Sequence, residues 1–80
     1  MKNETIKNGL KVLLVAVITD TYHNYGNWLS RNGEFGKTYF PVSRMQDLHG
    51  RRINEIKETN LAKENIEYWD LKKQCEIRLV

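Results

Sequence analysis

A single cysteine, Cys75, carries all the thiol chemistry of this 80-residue chain. One thiol cannot close a disulfide within the chain, so the fold has to hold without a covalent staple, and this usage fits a reducing compartment. Nor can one thiol build a multi-cysteine zinc site. The two histidines, His23 and His49, stand singly and lack the paired spacing of metal ligands. No metal or other cofactor is expected. Long apolar runs are missing too. The longest, Leu10–Ile18 (LKVLLVAVI), is interrupted by Lys11 and is about half the roughly 20 residues a membrane-spanning helix needs. Lys2 and Lys7 precede it as they would in a secretory signal, but Asp20, Tyr22 and His23 follow where a small-residue cleavage site would stand. The expectation is a cytoplasmic protein with no membrane attachment. Repeats, low-complexity segments, a phosphate loop and a Ser/His/Asp arrangement are all absent, so an enzyme is not expected.

What the chain does have is the make-up of a small folded domain. Apolar residues are 40% and charged residues 29%, a balance that can bury a core. Two Trp, four Tyr and two Phe supply the bulk to fill it. A chain this short has room for one core, so residues 1–80 are read as one domain. The net charge of +3 permits a polyanionic partner without requiring one. Its distribution is more informative. Arg44, Arg51, Arg52 and Lys57 crowd one short segment, and Lys72 and Lys73 are adjacent.

Periodicity sets out the expected elements. Apolar residues at 6, 10, 13, 14 and 17, continued by Ile18 and Tyr22, predict a helix to about His23. A buried strand over Leu10–Ile18 is the competing reading, because Val and Ile are frequent there. Gly26, Asn32-Gly33 and Gly36 mark an irregular stretch, in which Tyr25, Trp28 and Leu29 allow a short helix around Asn27–Arg31. Trp28 reads as a core plug. Thr38–Phe40 reads as extended ahead of Pro41. Ser43 and Gln46 form an S-x-x-Q capping box that starts a helix, Arg44–Leu48, burying Met45 and Leu48. His49-Gly50 ends it. A second helix, Arg51–Thr59, buries Ile53 and Ile56; alternatively Arg44–Thr59 is one helix with Gly50 inside it. Ile66–Leu71 and Gln74–Val80 alternate apolar and polar residues, which predicts a β-hairpin with Lys72-Lys73 at its turn. Cys75 reads as a small buried hydrophobe.

In this order of elements, PVSRMQDLHGRRINEIKET followed by IEYWDLKKQCEIRLV resembles a small winged helix-turn-helix domain of the phage and mobile-element type. Gly50, Arg52, Ile53, Ile56, Lys57, Ile66, Arg78 and Leu79 stand where that family has its glycine, its second-helix pattern and its wing strands. The resemblance implies an α+β fold, a mainly helical winged helix-turn-helix with a C-terminal β-hairpin wing. It also implies duplex DNA as partner, with the second helix in the major groove and the wing on the backbone. With Ile53 and Ile56 inward, Arg51, Asn54, Glu55 and Glu58 face outward, Arg, Asn and Glu being able to read base edges, flanked by Arg52 and Lys57. Ser43 and Arg44 sit at a helix start that can hold a phosphate, and Lys72 and Lys73 reach the backbone from the wing. The function implied is a phage-type transcription regulator or an excisionase-like architectural factor, with a second copy or a protein partner adding specificity. The alternative is a protein-binding module that engages or inhibits a host protein through the same fold, with Tyr22, Tyr25, Trp28 and Trp69 as anchors.

Overall fold

Six consecutive apolar residues, Leu13–Ile18, form the central strand β1 of a three-stranded sheet. The structure, a computed structural model, describes residues 13–80. The earlier part of the expected first helix, including Ile6 and Leu10, lies outside them. Within them the helix expectation for Leu10–Ile18 is corrected to strand. The reason is two-sided burial: Val15, Ala16, Val17 and Ile18 are all fully buried. A central parallel strand is covered on both faces, so its sequence runs apolar without alternation and imitates a helical pattern over a short window.

After β1 the chain turns through Thr19–Thr21 into helix α1, Tyr22–Asn32, which is longer than the short helix expected around Asn27–Arg31. Strand β2, Lys37–Val42, then pairs parallel to β1, with Leu13 opposite Lys37 and Ile18 opposite Val42. A single turn of 3₁₀ helix, Met45–Leu48, leads back across the sheet to strand β3, Glu55–Glu58. This strand pairs parallel to β1 on its other side, with Val15 opposite Glu55. A second 3₁₀ turn, Ala62–Glu64, precedes helix α2, Tyr68–Ile77. The strand order is β2-β1-β3.

The two faces of the sheet are covered unequally. Ala16, Ile18, Phe40 and Val42 pack with Leu48, Ile53, Ala62, Tyr68, Leu71 and Cys75 in one core beneath α2. Val15 and Val17 point to the other face, where α1 lies with Trp28 edge-on to Tyr39 at 5.8 Å between ring centroids. The two crossovers therefore run in opposite directions over opposite faces. That gives both the same hand, as the strong handedness preference of parallel connections demands.

The winged helix-turn-helix expectation is thus overturned: the chain is a small α+β fold on a parallel sheet, with no hairpin among the described residues. Three local corrections account for it. The expected helix Arg51–Thr59 is instead an extended approach and a short strand. Ile53 is fully buried and bridges Leu79, while Ile56 lies in β3, half-buried at the edge of the core. The expected hairpin Ile66–Val80 is instead α2. Its buried residues Tyr68, Leu71 and Cys75 follow helical spacing, whereas Ile66, Ile77 and Leu79 of the alternating pattern are exposed. Lys72-Lys73 accordingly falls in mid-helix rather than at a turn. The capping box forms with a different partner. Asp47, not Gln46, accepts from the amides of Ser43 and Arg44, at 2.9 and 3.1 Å, so the expected helix Arg44–Leu48 is one 3₁₀ turn. Gly50 does end it, at φ +69, a conformation that favours glycine.

Two side chains lock the ends of these elements. Asn65 donates to the carbonyls of Thr19 and Ser43 at 3.0 and 2.8 Å and accepts from the Glu67 amide at 2.8 Å. It thereby ties the loops after β1 and β2 to the start of α2. Thr21 caps α1, its hydroxyl accepting from the Asn24 amide at 3.1 Å. No residue of α1 is fully buried, so packing alone holds this helix weakly. Thr21→Ala is expected to lower stability by about 1 kcal/mol in a denaturant titration. A loss of only a few tenths would show that the cap is dispensable.

Candidate functional site

In open parallel sheets, ligands settle beyond the carboxyl ends of the strands where successive connections diverge. Here that point lies between β1, whose chain leaves toward α1 and β2, and β3 on the opposite side. The loops that emerge there are Thr19–Thr21 and Thr59–Leu61. Their first residues are joined by a buried hydrogen bond, Thr59 Oγ1 donating to Thr19 Oγ1 at 3.2 Å. The Thr59 amide also donates to the Ile18 carbonyl at 3.0 Å, fixing the second loop to β1.

Beside this junction a groove of about 430 Å³ runs along α1. One wall is a helical stripe at spacings of three and four, namely Asn24, Asn27, Trp28, Arg31 and Asn32. The other wall is Thr59, Asn60 and Leu61. From Asn24 to Asn32 the stripe spans about 12 Å at the helical rise.

At the near end the anion position is already filled. Asp20 lies just ahead of the first turn of α1, and its carboxylate accepts from the Asn24 side chain at 2.9 and 3.0 Å and from the Thr21 amide at 2.9 Å. These bonds, that to Asn24 foremost, hold the Asp20 carboxyl below the usual carboxylate range. A phosphate would meet a fixed negative charge here, not the bare amides of a glycine-rich loop. At the far end stands Arg31, in the last turn of α1, with no ion pair or side-chain hydrogen bond to any described residue. Between them the Asn27 amide lies 3.4 Å from His23 Nε2, and Asn32 donates to the Trp28 carbonyl at 2.9 Å. Both leave polar atoms over for a ligand.

The residues expected from the sequence to contact DNA are scattered over other surfaces. Ser43 donates to Asp47, and Arg44 is exposed beside it. Asn54 extends the β1–β3 ladder: its Oδ1 accepts from the Leu14 amide and its own amide donates to the Leu14 carbonyl, each at 2.8 Å. Glu55 binds Lys37 across β1 at 3.0 Å. Lys57 is exposed on β3. Lys72 pairs with Glu58 at 3.3 Å, next to the Tyr68 hydroxyl that donates to the same carboxylate at 2.7 Å. Lys73 is exposed on α2. Only Arg51 and Arg52 come together, and Arg78 joins them.

Of the proposed aromatic anchors, Tyr22 and Trp69 are exposed, while Tyr25 and Trp28 are half-buried under α1. Cys75 is buried beneath α2, and burial pushes its thiol up to about 11, so it stays protonated and a poor nucleophile at neutral pH. Among the described residues no group of His, Cys, Asp and Glu is placed to hold a metal, and no helix is long and apolar enough to cross a membrane.

Sequence reasoning missed the groove, although its signal is present. Asn24, Asn27, Trp28, Arg31 and Asn32 fall on one helical stripe once a helix is drawn from Tyr22, with Thr21 as its cap. Comparison with protein-family models, with curated proteins and with solved structures found no match to the chain.

Proposed function

We propose that the chain is a binding domain for a small, elongated polar molecule that carries an anionic group at one end. The observation that supports this reading is the coincidence of the groove along α1 with the switch point of the sheet. Its composition suits such a ligand. Carboxamides of Asn24, Asn27, Asn32 and Asn60 both donate and accept, so they match mixed polar groups such as a nucleobase or a sugar. The Trp28 indole offers an apolar face alongside them. Arg31, which has no acidic partner among the described residues, suits the anionic end; Asp20 makes the opposite end unsuitable for it.

The DNA-binding reading drew its geometry from a recognition helix and a wing, neither of which belongs to this fold. The groove along α1 offers a more definite frame for binding.

Trp28 gives a direct readout. In a Trp69→Phe background it is the remaining indole. Titration with nucleoside monophosphates and, separately, with hexose phosphates is expected to change its fluorescence saturably for one class. Arg31→Ala should weaken that binding about ten- to a hundredfold, the usual scale of a hydrogen bond to a charged group. If neither class perturbs Trp28, or if Arg31→Ala binds as tightly as the parent, the reading fails.

A further inference from the structure

A second groove, of about 560 Å³, opens where the loop after the first 3₁₀ turn meets the C-terminal end of α2. Arg51, Arg52 and Arg78 all line it, together with Gln74 and the apolar Ile77 and Leu79. It borders the approach to β3, at the opposite end of that strand from Thr59–Leu61. We propose that this groove is a binding site for phosphate-type oxyanions, held by the three guanidinium groups.

Backbone bonds fix the two segments that supply the arginines. The Ile53 amide donates to the Arg78 carbonyl at 3.1 Å, and the Val80 amide donates to the Ile53 carbonyl at 3.0 Å. This parallel bridge draws the loop carrying Arg51 and Arg52 against the tail carrying Arg78. Two of the side chains are positioned as well. Arg78 Nε donates to the Leu48 carbonyl at 3.0 Å, and its Nη1 donates to the Gln74 carbonyl and side-chain oxygen at 3.3 and 2.7 Å. The guanidinium of Arg51 stacks over the Phe40 ring, 4.2 Å from its centroid.

None of these partners is an acid. No described carboxylate forms an ion pair with Arg51, Arg52 or Arg78. The C-terminal end of α2 adds the negative end of its helix dipole, about half a charge. Three arginines thus line one groove with no described carboxylate paired to any of them, and an anion there would offset the excess of positive charge. The planar fork of arginine matches the oxygens of a phosphate two at a time; Arg52 has its whole fork for this, and Arg78, with Nε and Nη1 committed to Leu48 and Gln74, keeps Nη2. That chemistry belongs equally to a free polyphosphate and to the phosphodiester backbone of a nucleic acid.

Two arms separate these sources. In the first, pyrophosphate is titrated into isotopically labelled protein and the amides of Arg51, Arg52 and Arg78 are followed by NMR. In the second, a labelled duplex of about 20 base pairs is titrated at several salt concentrations from about 50 mM, with anisotropy as readout. The proposal expects saturable binding in at least one arm, weakened tenfold or more in the double variant Arg51→Gln/Arg52→Gln. Arg52→Gln alone, which leaves the Arg51 stack on Phe40 in place, should melt like the parent and still weaken binding; Arg51→Lys, which keeps the charge but loses the fork, should be intermediate. Pyrophosphate binding alone assigns a small phosphate ligand. Duplex binding whose salt slope falls by about two in the double variant assigns the phosphodiester backbone. Absence of binding in both arms, or binding that the double variant leaves unchanged, overturns the proposal.

Discussion

Replacing Leu71 with alanine is expected to lower the free energy of unfolding by about 2–5 kcal/mol, the range found when a wholly buried leucine is truncated. Leu71 is fully buried and sits between Tyr68 and Cys75 on the inner face of α2, against the sheet. The loss combines removed apolar contact with the cavity left behind, because α2 is pinned at its start by Asn65 and at its end by Arg78 and cannot collapse freely. Ile66→Ala is the matched control. Ile66 is almost fully exposed, so its truncation should stay within about 0.5 kcal/mol. Urea titrations of both variants give the comparison directly. Equal losses at the two positions would contradict the helical placement of this segment.

Proline at position 73 is expected to be nearly as damaging, although Lys73 is exposed and has no side-chain partner among the described residues. It lies in the interior of α2, where proline removes a backbone donor and its ring clashes with the preceding turn, at a cost of about 3 kcal/mol or more. Lys73→Ala isolates the backbone effect, since alanine favours helix and this variant should be neutral or slightly stabilising. In a hairpin turn the ranking would differ, because proline is often accepted in turns. Thermal melts in which Lys73→Pro matches the parent would therefore place a turn at Lys72-Lys73 after all.

These two experiments probe the part of the chain where periodicity misled. In Ile66–Val80 two patterns overlap: the alternation of Ile77 and Leu79 with Glu76 and Arg78, and the helical spacing of Tyr68, Leu71 and Cys75. The second set is the buried one. Good helix formers between its members, Leu71, Lys72, Lys73, Gln74 and Glu76, tip the balance, a preference that alternation does not register. Ile53 and Ile56 misled in the opposite sense. Their spacing of three suits a helix, yet Ile53 bridges the tail, and Asn54 between them lends its side chain to the ladder. Such a pairing depends on Leu14, forty residues earlier, and no local window contains it. The strand β2, the stop at Gly50, a helix including Trp28 and the burial of Cys75 were legible, because each rests on a local cause. The groove along α1 was not, because its second wall comes from the distant loop Thr59–Leu61.

Pro41 has a bearing on how copies of this chain behave toward one another. Val42 gives its carbonyl to Thr19, on the β1 side, and backbone polar groups alternate sides along a strand, so the nitrogen of Pro41 faces away from the sheet. Along that outer rim an incoming strand would look for an amide proton and find a ring. The opposite rim, β3, is only four residues long and carries Glu55, Lys57 and Glu58. A small parallel sheet with no described strand beyond either rim would ordinarily invite cross-chain pairing and fibril growth. One imino acid on one side, and brevity with charge on the other, make both sides poor templates for it.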